Sequence, residues 1–291
     1  MKIAITGATG QLGTLVIQAL LQAAQRSGIQ AQDIVALVRN KEKATALLAQ
    51  GIQLRHFDYD QPDMLAPALE GVDKLLLISA NEVGRRTPQH HAVIQAAIEA
   101  GVPYIAYTSL LNASDSPLGL AQEHRETEQL IRDSGLKYTF LRNNWYNENY
   151  LASIEHVITQ AVLYGSAQDG RISAASREEY AQAAAVVMAG TGHENKVYEL
   201  AASQSFTLSE LAQAIGSAAG TEVRYENLSP ADYQQALTQA GLPAGLVDVI
   251  VDADVQTSKG VMYSERQDLE QLLGHATQSI QDRVQQYLLQ K

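Results

Sequence analysis

The sequence contains no cysteine, and this absence excludes several kinds of chemistry at once. Without a thiol the chain forms no disulfide, binds no metal through thiolate and has no cysteine nucleophile. Basic runs are missing too, since 21 lysines and arginines stand against 32 acidic residues, giving a net charge of −11. Nucleic-acid binding requires a positive surface, so we expect no nucleic-acid partner.

Long apolar runs are also absent. The apolar start, residues 1–6, is too short for the core of a signal peptide, and no later run reaches the length of a membrane span. We therefore expect a cytoplasmic protein with no membrane insertion. With 46% hydrophobic residues over 291 positions, the chain can bury a large core.

Metal and hydrolase motifs are missing as well. His90 and His91 are neighbours, and neighbours in a helix point in different directions, so we expect no metal and place both at a polar helix start after Pro88. The chain has neither a Gly-x-Ser-x-Gly elbow nor a Walker lysine pattern, which argues against a serine hydrolase and a P-loop protein.

Short apolar runs alternate with amphipathic segments through the first 142 residues. This alternation is typical of a parallel sheet covered by helices. It predicts a Rossmann-type, doubly wound α/β domain over residues 1–142, followed by a smaller C-terminal α+β lobe over residues 143–291 that packs against the first domain. The six predicted strands lie at 2–6, 33–39, 52–57, 73–79, 102–109 and 137–142.

The alternation stops after Arg142. The stretch NNWYNENY, residues 143–150, concentrates amide and aromatic side chains and is predicted to be a loop that lines a pocket. Beyond it we predict helices over 177–189, over 207–220, from Pro230 and near 277–289, and strands over 196–200 and 222–228.

The stretch AITGATGQLG places Gly7, Gly10 and Gly13 between the first predicted strand and the first predicted helix. A strand-to-helix turn that binds a dinucleotide uses glycine for a tight turn, for close approach to the pyrophosphate and for close packing of helix on strand. The first gap is one residue longer than in the common fingerprint, so the motif alone also fits an ordinary glycine turn. Its position at the start of an alternating βα chain favours a nucleotide site.

The residue at the end of the second predicted strand indicates whether the site prefers NADH or NADPH. An acid there binds the ribose 2′-hydroxyl, whereas an arginine accommodates a 2′-phosphate. This chain has Arg39, which favours NADPH; the alternative is a solvated arginine at a strand end. Asp58, after the third strand, is expected to border the adenine or to serve as a turn residue. Arg85 and Arg86 either steer an anionic cofactor or lie in a mobile surface loop, which we prefer.

The segments GATGQLG, LVRN, LLLIS, YTSL and YTFLRNNWYNENY together resemble the NmrA-like branch of the atypical short-chain dehydrogenase/reductases, in particular bacterial NADPH:quinone oxidoreductases that use neither flavin nor zinc. The resemblance spans nearly the whole chain. It implies a pyrophosphate site, a 2′-phosphate site at Arg39, a ribose flank and residues near the nicotinamide. The implied cofactor residues are Gly7, Ala8, Thr9, Gly10, Gln11, Leu12 and Gly13, then Ser79, Ala80 and Asn81, and finally Asn143, Asn144, Trp145, Tyr146, Asn147 and Glu148.

The sequence departs from the wider superfamily at the catalytic tyrosine and lysine. There, a lysine four residues after a tyrosine lowers the phenol pKa for proton exchange. Of the eight lysines here, only Lys291 follows a tyrosine, Tyr287, at this spacing, and in the sequence it lies far from the helix where the pair is expected. His124 and Glu128 stand where that pair is expected, on one helix face, or else face solvent. Ser109 ends the fifth strand and either bonds a substrate carbonyl or caps a loop. Tyr146 is a further catalytic candidate through its hydroxyl; its alternative role is that of a buried polar group.

Loss of the tyrosine–lysine pair favours a substrate that needs little acid catalysis. A quinone accepts hydride to give an aromatic, weakly basic anion, so we expect NADPH to reduce a small quinone stacked near Trp145 and Tyr146, with no flavin and no metal. Trp145 has core packing as its alternative role. One rival function is an NmrA-like redox sensor that binds NAD(P) without turnover, and another is a reductase or epimerase of other carbonyl compounds. The oligomeric state stays open, with a homodimer as one alternative.

Overall fold

The computed structural model describes residues 1–290, without the side chains of residues 24–27. The backbone separates into two units. Unit 1 consists of Met1–Ser114, Gln122–Asn143 and Arg177–Leu200, and unit 2 of Asp115–Ala121, Asn144–Ser176 and the residues from Ala201 onward. Arg177–Leu200, which the predicted boundary at residue 142 assigns to the C-terminal lobe, clusters with the sheet of unit 1.

The strands are short and follow the apolar runs of the sequence. Those of unit 1 form one parallel sheet in the order β3-β2-β1-β4-β5-β6-β8, and those of unit 2 form a parallel pair, β7-β9. Their bounds are β1 Ile3–Ile5, β2 Ile34–Val38, β3 Gln53–His56, β4 Lys74–Leu77, β5 Tyr104–Leu110, β6 Lys137–Asn143, β7 Val162–Gly165, β8 Lys196–Leu200 and β9 Arg224–Asn227.

The helices connect these strands and supply most of unit 2. In chain order they are α1 Gln11–Ser27, α2 Thr45–Ala49, α3 Leu65–Ala68, α4 Arg86–Glu99, α5 Ala121–Asp133, α6 Asn147–Leu151, α7 Ile154–Gln160, α8 Arg177–Ala189, α9 Leu208–Ala219, α10 Pro230–Gln239, α11 Ala244–Thr257, α12 Asp268–Leu273 and α13 Ile280–Leu289. Within residues 1–290, no helix combines the length and the apolar character needed to cross a membrane.

The inner strands β1, β2 and β5 of unit 1 are buried along their whole length, which explains their continuous apolar sequences, whereas the edge strand β3 is half-buried. Every residue of β2 is buried, as expected for a parallel strand between two helical layers. On one face Val93 of α4 and Ile131 of α5 join a core with Tyr107 and Phe140. The helices α1 and α8 pack against each other. The predicted Rossmann-type α/β fold is confirmed, with β8 as an additional parallel strand beside β6.

The strand order reverses between β1 and β4. The connections from β1 and β4 lead away from each other, so their carboxyl ends open a crevice at this point of the sheet. In open α/β sheets this is where ligands bind. The architecture therefore directs attention to the segments that follow β1, β2 and β4.

Unit 2 contains helices with clear sequence signals at their starts. Thr207 and Glu210 form a reciprocal capping box at α9, and Ser229 and Ser279 accept backbone N–H bonds at the starts of α10 and α13. These are the residue types that satisfy the free amides of a first helical turn.

The predicted loop at 143–150 is wrong, because β6 extends to Asn143 and α6 begins at Asn147.

A buried acid, Asp254 of α11, lies in unit 2. It is 4% exposed, and its carboxylate accepts a 2.7 Å hydrogen bond from the Ser166 amide. Burial raises the pKa of Asp254 to about 6, and the hydrogen bond offsets this only partly. Tyr233 is buried and Tyr150 half-buried nearby, and the pKa values of both phenols are raised mainly by loss of contact with water.

We predict that Asp254→Asn stabilises the protein at neutral pH. The folded protein holds the Asp254 proton more tightly than the unfolded chain, so wild-type stability falls as pH rises from about 4 to about 6 and stays lower above that. The variant should lack this loss and gain about 2–3 kcal/mol at pH 7. Urea unfolding between pH 4 and 8 measures it, and parallel curves for the two proteins would contradict the prediction.

Candidate functional site

The glycine turn after β1 is open to solvent at the start of α1. Gly7 has a left-handed backbone, with φ of +58°, a conformation that strains residues with a side chain. Its carbonyl accepts a 2.8 Å hydrogen bond from the Gly10 amide. Gly7, Thr9, Gly10 and Gln11 are exposed, so the turn presents backbone to solvent.

Two of the three glycines are required by close packing. A Cβ at Gly13 would overlap the Gly7 carbonyl oxygen and lie 2.9 Å from the Ala8 Cα, and a Cβ at Gly10 would lie 3.0 Å from the same oxygen. The first turn of α1 contains no acidic residue, and its amides lack partners within the helix. A positive helix end with free amides and no side-chain bulk is the arrangement that binds a pyrophosphate.

Arg39 follows β2 beside this turn in the sheet order. Its side chain is 69% exposed, and its guanidinium lies 3.8 Å from the carboxylate of Glu82. Asp58, after β3, accepts hydrogen bonds from the Asp60 amide and from the Gln61 side chain. Both contacts are typical of a turn residue, which is one of the two roles predicted for Asp58.

The segment after β4 is held through its backbone. The Ser79 amide donates to Thr108 Oγ1 at 2.9 Å, and the Ala80 amide donates to His90 Nε2 at 3.0 Å. The Ala80 carbonyl accepts from Nε of Arg86 at 2.7 Å. We call residues 79–85 the β4 loop; Ser79, Ala80 and Asn81 are thus presented on a fixed main chain.

A carboxylate from α5 also holds this loop. Oε1 of Glu123 accepts the amides of Gly84 and Arg86, at 3.1 and 3.0 Å, at the start of α4. Its second oxygen lies 3.7 Å from the Arg86 guanidinium. Arg86 is 6% exposed. The prediction that Arg86 lies in a mobile surface loop is therefore wrong, because α4 begins at Arg86 and α5 pairs with it.

The two buried histidines have assignable tautomers. Nε2 of His90 accepts the Ala80 amide, so Nδ1 carries the proton and donates to Thr127 Oγ1 at 2.9 Å. Burial and, to a smaller extent, the Arg86 charge together lower the pKa of His90 to about 3. The prediction of His90 as part of a polar helix start is wrong, since it is fully buried within α4.

His124 is likewise neutral and buried. Arg86 can only donate, so Nε2 of His124, 3.4 Å from the guanidinium, accepts, and Nδ1–H donates to the Tyr107 hydroxyl at 2.8 Å. Burial holds the pKa of His124 well below its usual value, and Arg86 and His90 add to this. The alternative that His124 and Glu128 face solvent is wrong, because they are 5% and 4% exposed.

Ser109 belongs to a second buried cluster in unit 1. Its hydroxyl donates to Glu128 Oε1 at 2.6 Å, and Arg142 donates to both oxygens of Glu128 at 2.8 and 2.6 Å. Arg142 also donates to Glu199 at 2.7 Å. Burial alone would lower the pKa of Arg142, but the carboxylates of Glu128 and Glu199 stabilise its charged guanidinium and keep the pKa above the usual value. The Ser109 proton is therefore committed to a carboxylate inside the fold.

The remaining predicted residues fall in both units. Asn143 ends β6 in unit 1, whereas the residues after it belong to unit 2, where Nδ2 of the Asn144 side chain donates to the backbone carbonyls of Ser173 and Met262. Trp145 and Tyr146 are half-buried. Both polar side-chain atoms of Asn147 are buried without a hydrogen-bond partner, a state that a polar ligand group or water relieves. Glu148 forms an ion pair with Arg283.

Sequence reasoning missed the residues that support the site. Thr108, His90, Arg86, Glu123 and Arg142 act through contacts with distant parts of the chain. No local spacing identifies them, because each acts on a segment that is distant in the sequence. Within residues 1–290, no group of three or more acidic or histidine side chains is arranged to hold a metal ion.

We predict that Glu128→Gln destabilises the protein by about 3 kcal/mol, because it leaves the buried Arg142 charge with fewer compensating bonds. Urea unfolding measures the change. The control is Glu178→Gln, the same substitution at an exposed position of α8, which should shift the unfolding free energy by less than about 0.5 kcal/mol. Equal losses in the two variants would contradict the prediction.

Comparisons with known proteins agree with this geometry. The NmrA-like family model matches residues 1–279. The chain is 52% identical to quinone oxidoreductase 2 of Escherichia coli over 282 residues, 97% of each protein. The crystal structure of the NADPH-dependent quinone oxidoreductase of Escherichia coli with NADPH matches with a TM-score of 0.95 at 51% identity, covering 98% of this chain and 99% of that one.

A third similarity is to an enzyme with a different substrate. The Citrobacter triphenylmethane reductase in complex with NADP(H) matches with a TM-score of 0.92 at 37% identity, covering 99% of this chain and 100% of that one. Taken with the parallel sheet and the glycine turn, the match over most of the chain shows that this protein belongs to the NmrA-like family.

Proposed function

We propose that this protein is an oxidoreductase that uses NADPH to reduce a small quinone by direct hydride transfer. The glycine turn carries the proposal, because Gly7 and Gly10 expose backbone without side chains at the start of α1, and Gly13 allows the helix to approach that backbone closely. The quinone oxidoreductase of Escherichia coli, half identical over nearly the full length, supports both the cofactor and the substrate class.

The residues of unit 1 fit the phosphate groups of NADPH. The pyrophosphate binds the amides at the start of α1, and the 2′-phosphate binds Arg39 at the carboxyl end of β2. The fixed backbone of Ser79, Ala80 and Asn81 flanks the ribose. Negative charge is absent from the first turn of α1, so the anion meets no repulsion from that turn.

When bound, NADPH supplies a hydride, and the quinone takes up that hydride and one proton to become a hydroquinone. The chain has to bind and orient two flat rings and to keep them within reach of each other. It does not need to hold a strong acid against the substrate, because the hydroquinone anion is weakly basic. That requirement matches a site that lacks the tyrosine–lysine pair.

Ser109 and His124 are assigned to positioning. The Ser109 proton is bonded to Glu128, and both nitrogens of His124 contact Tyr107 or Arg86. The proton for the quinone then comes from water or from the half-buried hydroxyl of Tyr146. Several expectations from the sequence stay predictions. They are the absence of flavin and metal, a cytoplasmic location, a homodimer, a role of Asp58 at the adenine, and roles near the nicotinamide for Asn143, Asn144, Trp145, Tyr146, Asn147 and Glu148.

One observation favours the second candidate, a nucleotide sensor that does not turn over. The side chains of Ser109 and His124, which sequence reasoning offered as proton donors, are both satisfied inside the fold. A protein of this kind binds NADPH tightly and leaves quinones unreduced. Its binding site in unit 1 is the same, so only turnover separates the two functions.

We predict that the purified, flavin-free protein oxidises NADPH in the presence of small quinones, and that Gly10→Val lowers this rate by more than about tenfold. A valine there narrows the turn that receives the pyrophosphate. The assay is loss of nicotinamide absorbance, with Gly245→Val as the control, since no atom lies within 4 Å of a Cβ at Gly245. Tight binding of NADPH without turnover would favour the sensor.

We predict that Arg39→Gln weakens NADPH binding by about 10- to 100-fold, the value of a charge-assisted bond, and changes NADH binding little. Calorimetric titration with each nucleotide measures both affinities. Lys41→Gln removes the same charge from an exposed neighbouring position and should leave the NADPH-to-NADH ratio nearly unchanged. An unaltered ratio in Arg39→Gln would remove Arg39 from the site.

A further inference from the structure

Four charged residues, of which three are exposed and Glu82 is half-buried, connect the segments that follow β2, β3 and β4. Arg85 pairs with Asp60 at 2.7 Å and with Glu82 at 2.8 Å. Glu82 in turn lies 3.8 Å from the guanidinium of Arg39. Arg39 follows β2, Asp60 follows β3, and Glu82 and Arg85 belong to the β4 loop. We call this series the ion-pair chain.

The contacts of Glu82 within the ion-pair chain are unequal. Its bond to Arg85 is a short, charge-assisted hydrogen bond, whereas its approach to Arg39 lies beyond hydrogen-bond distance. The Arg39 side chain is 69% exposed, against 34% for Glu82. Arg39 can therefore leave Glu82 at little cost, while Glu82 stays with Arg85.

A 2′-phosphate at Arg39 competes with Glu82 for the same guanidinium. The phosphate carries more charge than a carboxylate and offers a bidentate geometry, so it displaces Glu82 from Arg39. The carboxylate nevertheless remains close by and repels the incoming phosphate. An NADH ribose has no phosphate, so neither effect operates on it.

We propose that Glu82 reduces the preference for NADPH over NADH by competing with the 2′-phosphate for Arg39, and that Arg85 limits this competition by pairing with Glu82. The inference rests on the proposed NADPH site. Glu82 lowers the affinity for NADPH, and it pairs with the Arg39 side chain when no NADPH is bound. Arg85 acts through Glu82 and does not contact the phosphate.

The first test is calorimetric titration of Glu82→Gln with NADPH and NADH at low salt. Glutamine keeps a hydrogen-bonding oxygen for Arg85 but removes the charge. NADPH binding should tighten by about three- to fivefold, the range expected for one exposed charge pair, while NADH binding stays the same. The gain should shrink in high salt, since exposed charges are screened.

The matched control is Glu70→Gln. Glu70 is exposed and lies between α3 and β4, at the amino end of the sheet and away from the ion-pair chain. It makes the same change in net charge. Equal gains in NADPH affinity for Glu70→Gln and Glu82→Gln would show that the effect comes from the net charge of the protein, and this would overturn the inference. Weaker NADPH binding in Glu82→Gln would overturn it as well.

Arg85 supplies a test of opposite sign. Arg85→Gln frees Glu82 to pair with Arg39 and should weaken NADPH binding by about threefold. In the double variant Glu82→Gln/Arg85→Gln, the loss should disappear if Arg85 acts only through Glu82. Persistence of the loss in the double variant would show a direct phosphate contact by Arg85 and would contradict the role proposed for it.

The outcomes also separate this inference from the proposed function. If Arg39→Gln lowers NADPH affinity and Glu82→Gln leaves it unchanged, the NADPH site stands and the competition by Glu82 fails. If neither Arg39→Gln nor Glu82→Gln alters the NADPH-to-NADH ratio, the 2′-phosphate site itself is refuted. Only a loss with Arg39→Gln and a gain with Glu82→Gln supports both.

Discussion

The close contact between the first turn of α1 and the backbone of Gly7 is the constraint on which the candidate site depends. A single Cβ at Gly13 would push the helix away from the end of β1. The amides of the first helical turn would then no longer face the crevice between β1 and β4, where the sheet order reverses. The nucleotide site is thus a consequence of how closely one helix approaches one strand end.

Two kinds of polar contact then define the surroundings of this turn. Buried contacts from His90, Arg86 and Glu123 fix the main chain of the β4 loop, and the hydrogen bonds that they make to its backbone offset part of the cost of burying them. Exposed contacts of Arg39 and Glu82 are weak and exchangeable. The loop can therefore keep its backbone fixed while its surface charges respond to a ligand.

Local features of the sequence were predictable, and distant pairings were not. The strand over residues 34–38 and the glycine turn follow from short runs, because burial on two faces and a tight turn each leave a local pattern. His90 and Thr127 contact across 37 positions, and no spacing rule reports such a pair. The short helix α6 was missed because asparagine favours loops and five residues show no helical period.

The buried clusters also bear on which reactions this fold can perform. Tyr107 and Ser109 belong to β5, and His124 of α5 contacts the Tyr107 hydroxyl; burial raises the pKa of the Tyr107 phenol and lowers that of the His124 imidazole. A phenol that holds its proton and an imidazole that does not take one up are both poor at exchanging protons near neutral pH. Such a site reduces a ketone poorly, because an alkoxide needs its proton as it forms. A quinone escapes this requirement, since aromaticity stabilises its reduced anion until solvent protonates it. The same burial that removes acid catalysis therefore leaves hydride transfer to quinones as the reaction this scaffold supports best.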